Sequence, residues 1–293
     1  LDLDSVTVFV SGVFHDLAPD DLLRRLRELD RGQRPEEVAA GLSGDFNLVV
    51  WSRRDRQVCA VTDRTGTRRL YVHLDRARGV VTITNRWLDQ IRLQPAPRVD
   101  DAGAYTALAV HYPMDPHTLL RHTSVVSVGE LARVTPDEVS LQRYHEPVLT
   151  EVENFTSVEQ AVIELDRTIR TTLEQNLGSG AVPLSMLSGG IDSCVLLKYL
   201  TDLAPGRVET MTFGFEGDEN AELDKARVAA RYYGSKHHEL IIPRDDIEGL
   251  ARRALLTMDI SIEGACIHAA CNRWFAADGR DIDVFRGEDT RLH

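Results

Sequence analysis

The sequence predicts two domains, a mixed α+β domain followed by an α/β domain with a doubly wound parallel sheet. The length of 293 residues exceeds the usual size of one domain. Short segments rich in β-branched and aromatic residues fill the first half, whereas strands alternate with amphipathic helices in the second half. The pattern loosens near residues 146–150, which gives a first domain over residues 1–147 and a second over residues 148–293.

Turn residues such as Gly44-Asp45 and Arg54-Asp55 separate the strands of the first half. The predicted strands cover residues 6–10, 46–51, 58–61, 69–73 and 80–84. One amphipathic helix interrupts them, because leucines recur at helical spacing behind Asp20, which we expect to cap the helix. These leucines are Leu22, Leu23, Leu26 and Leu29. Short strands joined by turns predict antiparallel pairing.

The second half opens with a predicted helix of about six turns, whose apolar residues recur at helical spacing from Val158 onward. We expect Thr156 and Glu159 to form its capping box. The later predicted strands cover residues 182–187, 208–215, 237–242 and 282–285, and the predicted helices cover residues 193–203, 221–233, 245–258 and 265–277. Asp245 with Glu248 is expected to cap the third of these helices. This alternation predicts a parallel sheet that binds its ligands beyond the carboxyl ends of the strands.

Bulk composition excludes several classes of protein. A formal net charge of −12 argues against a broad basic face for nucleic acid, and no apolar run approaches the roughly 20 residues of a membrane span. The cysteines are too widely spaced for a disulfide-stapled secreted domain, which favours the reducing cytoplasm. No Met opens the chain and little follows its last predicted strand, so we expect both domains to be incomplete. A homo-oligomer is left open.

One segment at the carboxyl end of a predicted strand carries the clearest chemistry. It reads Ser188-Gly189-Gly190-Ile191-Asp192-Ser193 and precedes a predicted helix. Free backbone N–H groups and the helix dipole favour an anion there, and the glycines permit its close approach. Asp192 would repel phosphates unless a hard cation such as Mg²⁺ lay between them. The segment, called here the 188–193 loop, therefore predicts phosphate together with Mg²⁺, although the Walker A lysine is missing.

A simpler interpretation is a tight turn in which Asp192 and Ser193 merely cap the helix. Six specific residues between a strand and a helix make this interpretation the weaker one. A zinc site is also disfavoured, because the spacing of the histidines and cysteines in the second half does not match one, and we expect core or surface roles for them. These residues are His237, His238, Cys266, His268 and Cys271. We expect Cys194 to be a packed small side chain.

The 188–193 loop resembles the SGGxDS loop of the ATP pyrophosphatases, which split ATP into AMP and pyrophosphate. Within that group, nearly the whole chain resembles the asparagine synthetase and β-lactam synthetase family. Residues 42–46 and 62–71 resemble its GDFAFALWD and RDRLGVKPLYY stretches, and Arg143-Tyr144-His145 resembles its RYW. Residues 212–216 and 237–239 resemble FTVGF and HHE, and Gly287-Glu288-Asp289 stands in place of GEGADE.

The resemblance implies an amidotransferase-like first domain, an antiparallel sandwich of the Ntn-hydrolase type, and an ATP-pyrophosphatase second domain. It implies ATP and Mg²⁺ as cofactors. The nucleotide-binding residues would be Leu187, Ser188, Gly189, Gly190, Ile191, Asp192, Ser193, Met211, Thr212 and Gly287, and the Mg²⁺ ligands would be Asp192, Glu288 and Asp289. The catalytic residues would be Asp192 and Glu288, with Glu288 positioning or deprotonating an attacking amine.

The chain departs from glutamine-using members of the family. Such members begin with a nucleophilic Cys, whereas Leu1 stands first here, and residues 11–16 read Ser-Gly-Val-Phe-His-Asp instead of NGEIYN. We therefore expect a silent glutaminase domain, as in β-lactam synthetase. Asp259 and Glu263 stand where the family often has its DEP segment, and Glu263 is as readily a substrate contact as a structural residue.

The leading hypothesis is an ATP- and Mg²⁺-dependent ligase of specialised metabolism. It would adenylate a small-molecule or peptide carboxylate, and an amine would then attack to form an amide. Three alternatives remain. They are a glutamine-hydrolysing asparagine synthetase, a macrolactam cyclase of the lasso-peptide kind, and a non-catalytic module that binds a nucleotide or a partner.

Overall fold

The computed structural model describes residues 1–14, 17–146, 155, 157–177, 180–217, 221–257 and 262–285, without the side chains of residues 255–257, 262–266 and 268. The chain divides into two compact units. Among the described residues, the first unit is built on residues 1–146 and the second on residues 157–255 and 262–285. No described helix is long and apolar enough to cross a membrane.

The first unit contains two antiparallel sheets. Its elements are β1 (Val6–Phe14), α1 (Pro19–Arg27), α2 (Pro35–Ala40), β2 (Gly44–Ser52), β3 (Gln57–Thr62), β4 (Leu70–Asp75), β5 (Val80–Thr84), α3 (Trp87–Leu93), α4 (Asp101–Val110), β6 (Thr123–Val126), β7 (Glu130–Val134) and β8 (Val139–Arg143). One sheet has the order β1-β2-β3-β7-β8 and the other the order β5-β4-β6. The predicted antiparallel pairing is confirmed.

Alternation of side chains along the strands builds the layers of this unit. Phe46 and Leu48 of β2 pack with Leu26 of α1 and Val38 of α2 on one face of the larger sheet. Ala60 of β3 and other small residues of that sheet's opposite face pack against the smaller sheet. On the far face of the smaller sheet, Tyr71 packs against Trp87 of α3, so the order is helix, sheet, sheet, helix. The finer assignment to the Ntn-hydrolase type stays a prediction.

The helices of the first unit differ from the prediction. Helix α1 begins at Pro19 with Ala18 at the cap position, so Asp20 lies in the first turn and does not cap the helix. Proline fixes φ near its helical value and has no N–H to leave unpaired, which suits the first helical position. Leu29 lies beyond the end of α1 but is buried in the core. Helices α2, α3 and α4 were not predicted.

The second unit is a parallel sheet covered by helices on both faces. Its elements are α5 (Val158–Asn176), β9 (Val182–Met186), α6 (Ile191–Leu203), β10 (Glu209–Phe215), α7 (Ala221–Tyr233), β11 (Lys236–Ile242), α8 (Ile247–Thr257), α9 (Ile262–Asp278) and β12 (Ile282–Phe285). The strand order is β11-β10-β9-β12, and every pairing is parallel, as predicted. Helices α5, α6 and α7 share one apolar cluster, and α8 and α9 belong to clusters with other sheet residues.

Two predicted caps in the second unit are wrong. Ser157 caps α5, because its side chain accepts a hydrogen bond of 3.2 Å from the Gln160 N–H, while Thr156 lies outside the described residues. Asp245 lies in a short 3₁₀ turn, Arg244–Asp246, that precedes α8 and therefore does not cap it. Helix α5 is also less covered than its apolar spacing predicts, since Val162 is 58% exposed.

An ion-pair network around the buried Glu209 lies where the parallel strands begin. Glu209, the first residue of β10, is 8% exposed. Its carboxylate accepts hydrogen bonds of 2.8 and 3.0 Å from Arg280 and lies 2.6 Å from His238 Nε2 and 3.3 Å from Lys236 Nζ. The Arg280 hydrogen bonds outweigh the effect of burial and hold the pKa of Glu209 at about 2, below its ordinary value of 4.5.

We predict that Glu209→Gln lowers the free energy of unfolding at pH 7 by roughly 3 kcal/mol, since one pKa unit corresponds to about 1.4 kcal/mol. The unfolded carboxyl group has the higher pKa. The contribution is therefore complete above about pH 5 and is lost as the pH falls from 4.5 towards 2. Urea unfolding at pH 7 and at steps down to pH 3 measures both effects.

Glu248→Gln is the matched control, because its side chain is 87% exposed and pairs only with exposed Arg252 among the described residues. It should change stability by less than about 0.5 kcal/mol. Equal stability of the two variants would show that the Glu209 network contributes nothing.

Candidate functional site

The 188–193 loop lies at the switch point of the parallel sheet. From β9 the chain runs to β10 and then to β11 on one side, whereas β12 pairs with the other side of β9. Phe285 at the end of β12 pairs with Ser185, so the carboxyl ends of β9 and β12 lie side by side. A crevice forms where connections diverge from neighbouring parallel strands, and open α/β sheets bind ligands in such crevices.

Hydrogen bonds fix both ends of the loop. Before it, the Leu187 N–H donates to the Met211 carbonyl at 2.8 Å, and the Thr212 hydroxyl donates to the Leu187 carbonyl. Within it, the Gly190 N–H donates to Ser188 Oγ at 3.3 Å, and Ser193 Oγ donates to the Gly190 carbonyl at 3.1 Å. The two serine hydroxyl oxygens are 3.1 Å apart. The loop is therefore held in one conformation by its own side chains.

The two glycines of the loop serve different purposes. Gly189 has φ +75°, and a Cβ there would lie 2.4 Å from Lys225 Cβ and 2.8 Å from the Ala226 nitrogen. Its missing side chain therefore lets α7 pack directly on the loop. A Cβ at Gly190 would meet only Ser188 Oγ, at 3.3 Å, so this glycine borders open space. The open side is where another molecule can approach the backbone.

The amino terminus of α6 has the features of an anion-binding site. Gly190 is its cap residue and supplies no side chain, and the N–H groups of Ile191, Asp192 and Ser193 have no acceptor recorded among the described residues. Ile191 is 83% exposed and Asp192 is exposed, while Ser193 is buried. Unpaired amides at a helix start carry a partial positive charge, which attracts phosphate.

The structure brings most of the predicted nucleotide-binding residues together. Beside the loop, the backbones of Leu187 and Met211 are hydrogen-bonded to each other, and the Thr212 hydroxyl is hydrogen-bonded to the Leu187 carbonyl. All three side chains are buried, and the role of these residues towards adenine stays a prediction. Gly287, Glu288 and Asp289 lie outside the described residues, as does Asp259, and the side chain of Glu263 is not described.

Sequence reasoning missed Lys225 in the first turns of α7. Its Cβ lies against Gly189, its side chain is exposed, and it makes no ion pair with the described residues. Its neighbour Arg227, in contrast, is paired with Asp224 at 2.8 Å and with Glu239 at 2.6 Å. Lys225 is distant from the loop in sequence, so only the packing of α7 on Gly189 reveals it. Its backbone position therefore places a lysine next to the loop.

Asp192 is the one predicted Mg²⁺ ligand that the structure describes. No group of three or more His, Cys, Asp or Glu side chains suited to a metal occurs among the described residues. An exposed carboxylate beside a phosphate cradle fits a Mg²⁺ ion shared with phosphate oxygens, since Mg²⁺ is commonly held by one or two carboxylates plus phosphates. The donor set at the loop therefore fits the predicted ion.

The HHE stretch lies in β11, where its side chains are hydrogen-bonded to neighbouring elements. His237 Nδ1 lies 3.0 Å from the Thr210 hydroxyl, and His238 bonds Glu209. Glu239 accepts two hydrogen bonds of 2.6 Å from Arg227, which lower its pKa. Cys194 is partly buried against the apolar cluster of α6 and α7, as a packed small side chain.

In the first unit, hydrogen bonds connect the stretches that resemble the family, residues 42–46, 62–71 and 143–145. Asp63 is fully buried and accepts hydrogen bonds from the N–H groups of Phe46 and Thr65, at 3.2 and 2.8 Å. The Tyr144 hydroxyl donates to the Thr62 carbonyl at 2.7 Å, and burial raises the pKa of Tyr144 to about 12. In the departing segment, residues 11–14 belong to β1, and residues 15–16 lie outside the described residues.

Comparisons with known proteins agree with this arrangement. Residues 164–276 match the family described as asparagine synthase, and residues 31–145 match the glutamine amidotransferase domain. Proteins of Mycobacterium bovis and Mycobacterium tuberculosis, provisionally named glutamine-hydrolysing asparagine synthetase, are 25% identical over 217 residues. The match covers 72% of this chain and 33% of each relative, so the chain spans about a third of their length.

Solved structures superpose only in part. An NH₃-dependent NAD synthetase from Campylobacter jejuni has a TM-score of 0.34 and 12% identity, over 44% of this chain and 56% of that one. A U34-tRNA thiolase from Methanococcus maripaludis has a TM-score of 0.32 and 23% identity, over 44% of this chain and 45% of that one. The assignment rests on the two domain matches, which confirm the predicted resemblance. The first unit thus contains a match to the glutamine amidotransferase domain, and the second unit contains a match to the asparagine synthase family.

Proposed function

We propose that this chain belongs to an ATP-dependent carbon–nitrogen ligase that forms AMP and pyrophosphate. The observation that carries the proposal is the unpaired amino terminus of α6, open beside Gly190 at the switch point of the sheet. Its substrates would be a small-molecule or peptide carboxylate and an amine, in the cytoplasm.

In the proposed reaction, a carboxylate oxygen attacks the α-phosphorus of ATP, and the bond to the bridging oxygen of the β-phosphate breaks. The amine then attacks the acyl carbon, and AMP leaves as the amide forms. The α6 amides and the hydroxyls of Ser188 and Ser193 hold the pyrophosphate portion in place. Lys225 contributes positive charge on the α7 side of the loop.

Asp192, with Glu288 or Asp289, would hold Mg²⁺, and the ion would neutralise charge on the departing pyrophosphate. Asp192 suits this task because its exposed side chain lies in the first turn of α6, next to the unpaired amides. We propose Glu288 as the residue that positions the amine or accepts its proton.

The natural role that we propose is β-lactam-synthetase-like, with the amine supplied by the substrate itself. The sequence of residues 11–16 supports loss of glutamine binding, because it lacks the Asn and Glu of the NGEIYN segment. The names of the mycobacterial relatives favour glutamine-hydrolysing asparagine synthesis as the second candidate. Ammonia release from glutamine by the purified protein would select that candidate.

The reaction class is tested by its products. We expect the purified protein, given ATP, Mg²⁺ and a panel of amino-acid and peptide carboxylates, to release AMP and pyrophosphate in equal amounts. Chromatography of labelled adenine nucleotides together with a coupled pyrophosphate assay measures both products. Release of ADP and phosphate would exclude the proposed mechanism. Tight ATP binding without pyrophosphate exchange for any carboxylate would instead favour a non-catalytic module.

A further inference from the structure

A cavity lies wholly in the first unit and shares no residue with the 188–193 loop. Its volume is about 730 Å³, and it is lined by the β4–β5 hairpin, the segment after α3 and the start of β6. Backbone hydrogen bonding joins these parts, since the Arg121 N–H donates to the Arg98 carbonyl at 2.8 Å. We name it the arginine-lined cavity after Arg76, Arg78, Arg98 and Arg121.

These arginines concentrate positive charge in a chain whose net charge is −12. Arg76, Arg78 and Arg98 make no ion pair with a described residue, and Arg121 pairs only with the exposed carboxylate of Asp101, at 2.8 Å. Asp75 is the one carboxylate in the lining of the cavity, and it accepts a hydrogen bond of 3.1 Å from the Arg78 backbone N–H. The guanidinium groups are therefore largely uncompensated.

The interior of the cavity is fixed and partly apolar. Gln94 is 7% exposed, and its amide donates to the Thr123 hydroxyl at 2.9 Å. His73 Nδ1 lies 3.0 Å from the His122 carbonyl, and burial lowers the pKa of His73, which favours its neutral form. Val72 and Leu74, with the other apolar lining residues, add walls without charge. The positive charge therefore stays with the arginines.

We propose that the arginine-lined cavity binds a small organic anion, one with an apolar body and a carboxylate, phosphate or sulfonate group. Guanidinium groups bind such anions through paired N–H donors, and the apolar walls accept the remainder of the molecule. A volume of about 730 Å³ is in the range of small-molecule sites. This site is independent of the proposed ligase reaction, since no residue of the 188–193 loop takes part.

The test uses 8-anilinonaphthalene-1-sulfonate, whose fluorescence rises when it is bound in an apolar site. We expect saturable binding of one dye molecule to the folded protein. The double variant Arg76→Gln, Arg98→Gln should bind it about tenfold or more weakly, because the hydrogen bonds from two charged guanidinium groups are lost. N-phenyl-1-naphthylamine has the same aromatic groups without the sulfonate and should bind the unaltered protein at least tenfold more weakly.

Arg27→Gln is the matched control, because Arg27 is an exposed arginine of the same unit with no ion pair recorded among the described residues, and it lies outside the cavity lining. It should bind the dye as the unaltered protein does. Equal affinity of the double variant, or equal affinity of the neutral analogue, would overturn the proposal. Displacement of the dye by ATP, with no effect of the arginine changes, would place the dye at the 188–193 loop and also overturn it.

Discussion

Gly189→Ala is expected to abolish nucleotide binding and to lower the free energy of unfolding by about 2–5 kcal/mol. Two effects add. A side chain at φ +75° costs roughly 1–2 kcal/mol, and the new methyl group overlaps Lys225 Cβ and the Ala226 nitrogen, which costs about 1–3 kcal/mol more. Relief of the overlap requires α7 to move away from the loop. Equilibrium unfolding in urea and a fluorescent ATP-analogue titration measure the two effects.

Gly206→Ala separates the two causes. Gly206 has φ +71°, nearly the value at Gly189, but a Cβ there meets no atom within 4 Å. Its substitution should therefore cost only the backbone strain, on the order of 1 kcal/mol, and should leave nucleotide binding unchanged. If both variants lost the same stability and both bound ATP, the contact between α7 and the loop would have no part in forming the site.

Asp192→Asn is expected to lower the rate of pyrophosphate release by at least about 100-fold, the scale seen when one stabilising group is removed from a charged transition state. The change keeps the size of the side chain and removes the charge that would hold Mg²⁺. Because Asp192 is exposed, the fold should survive, with a loss of no more than about 1 kcal/mol from the helix dipole. Initial rates at several Mg²⁺ concentrations, with thermal unfolding in parallel, measure both.

Asp202→Asn is the control for this charge. Asp202 lies near the other end of α6 and pairs with Lys198 at 2.6 Å. Its replacement should leave the rate and its Mg²⁺ dependence unchanged. Removal of a metal ligand is expected to lower the rate roughly 100-fold. If the rate of Asp192→Asn stayed within about threefold of the rate of the unaltered protein, Asp192 would be excluded as a metal ligand.

Sequence pattern located several elements with the bounds that the structure shows. The strands over residues 80–84 and 282–285 and the helix over residues 221–233 have the predicted bounds. Helix α4 escaped prediction because it does not bury an apolar face, and its Tyr105 and Leu108 are 74% and 87% exposed. A helix without an amphipathic pattern gives no period to detect.

The candidate site was predictable as far as it is local in sequence. The residues that predict the 188–193 loop are consecutive in the sequence. Glycines and hydroxyl side chains between a strand and a helix are typical of an anion-binding loop. Lys225 and the Glu209 network depend on residues brought together from separate elements. These contacts join residues that are far apart in the sequence, so the spacing of residues in a single sequence does not predict them.

The ion-pair network and the predicted phosphate-binding loop lie at opposite ends of the parallel strands. Glu209 and Arg280 lie at the amino ends of the strands, and the 188–193 loop lies at the carboxyl ends. If the proposed ligase site lies at the carboxyl ends, mutations there can alter substrate choice while the residues at the amino ends keep the protein folded. Randomised libraries confined to residues that follow β9 and β10 should retain a high proportion of folded members, which makes this domain a suitable scaffold for directed evolution.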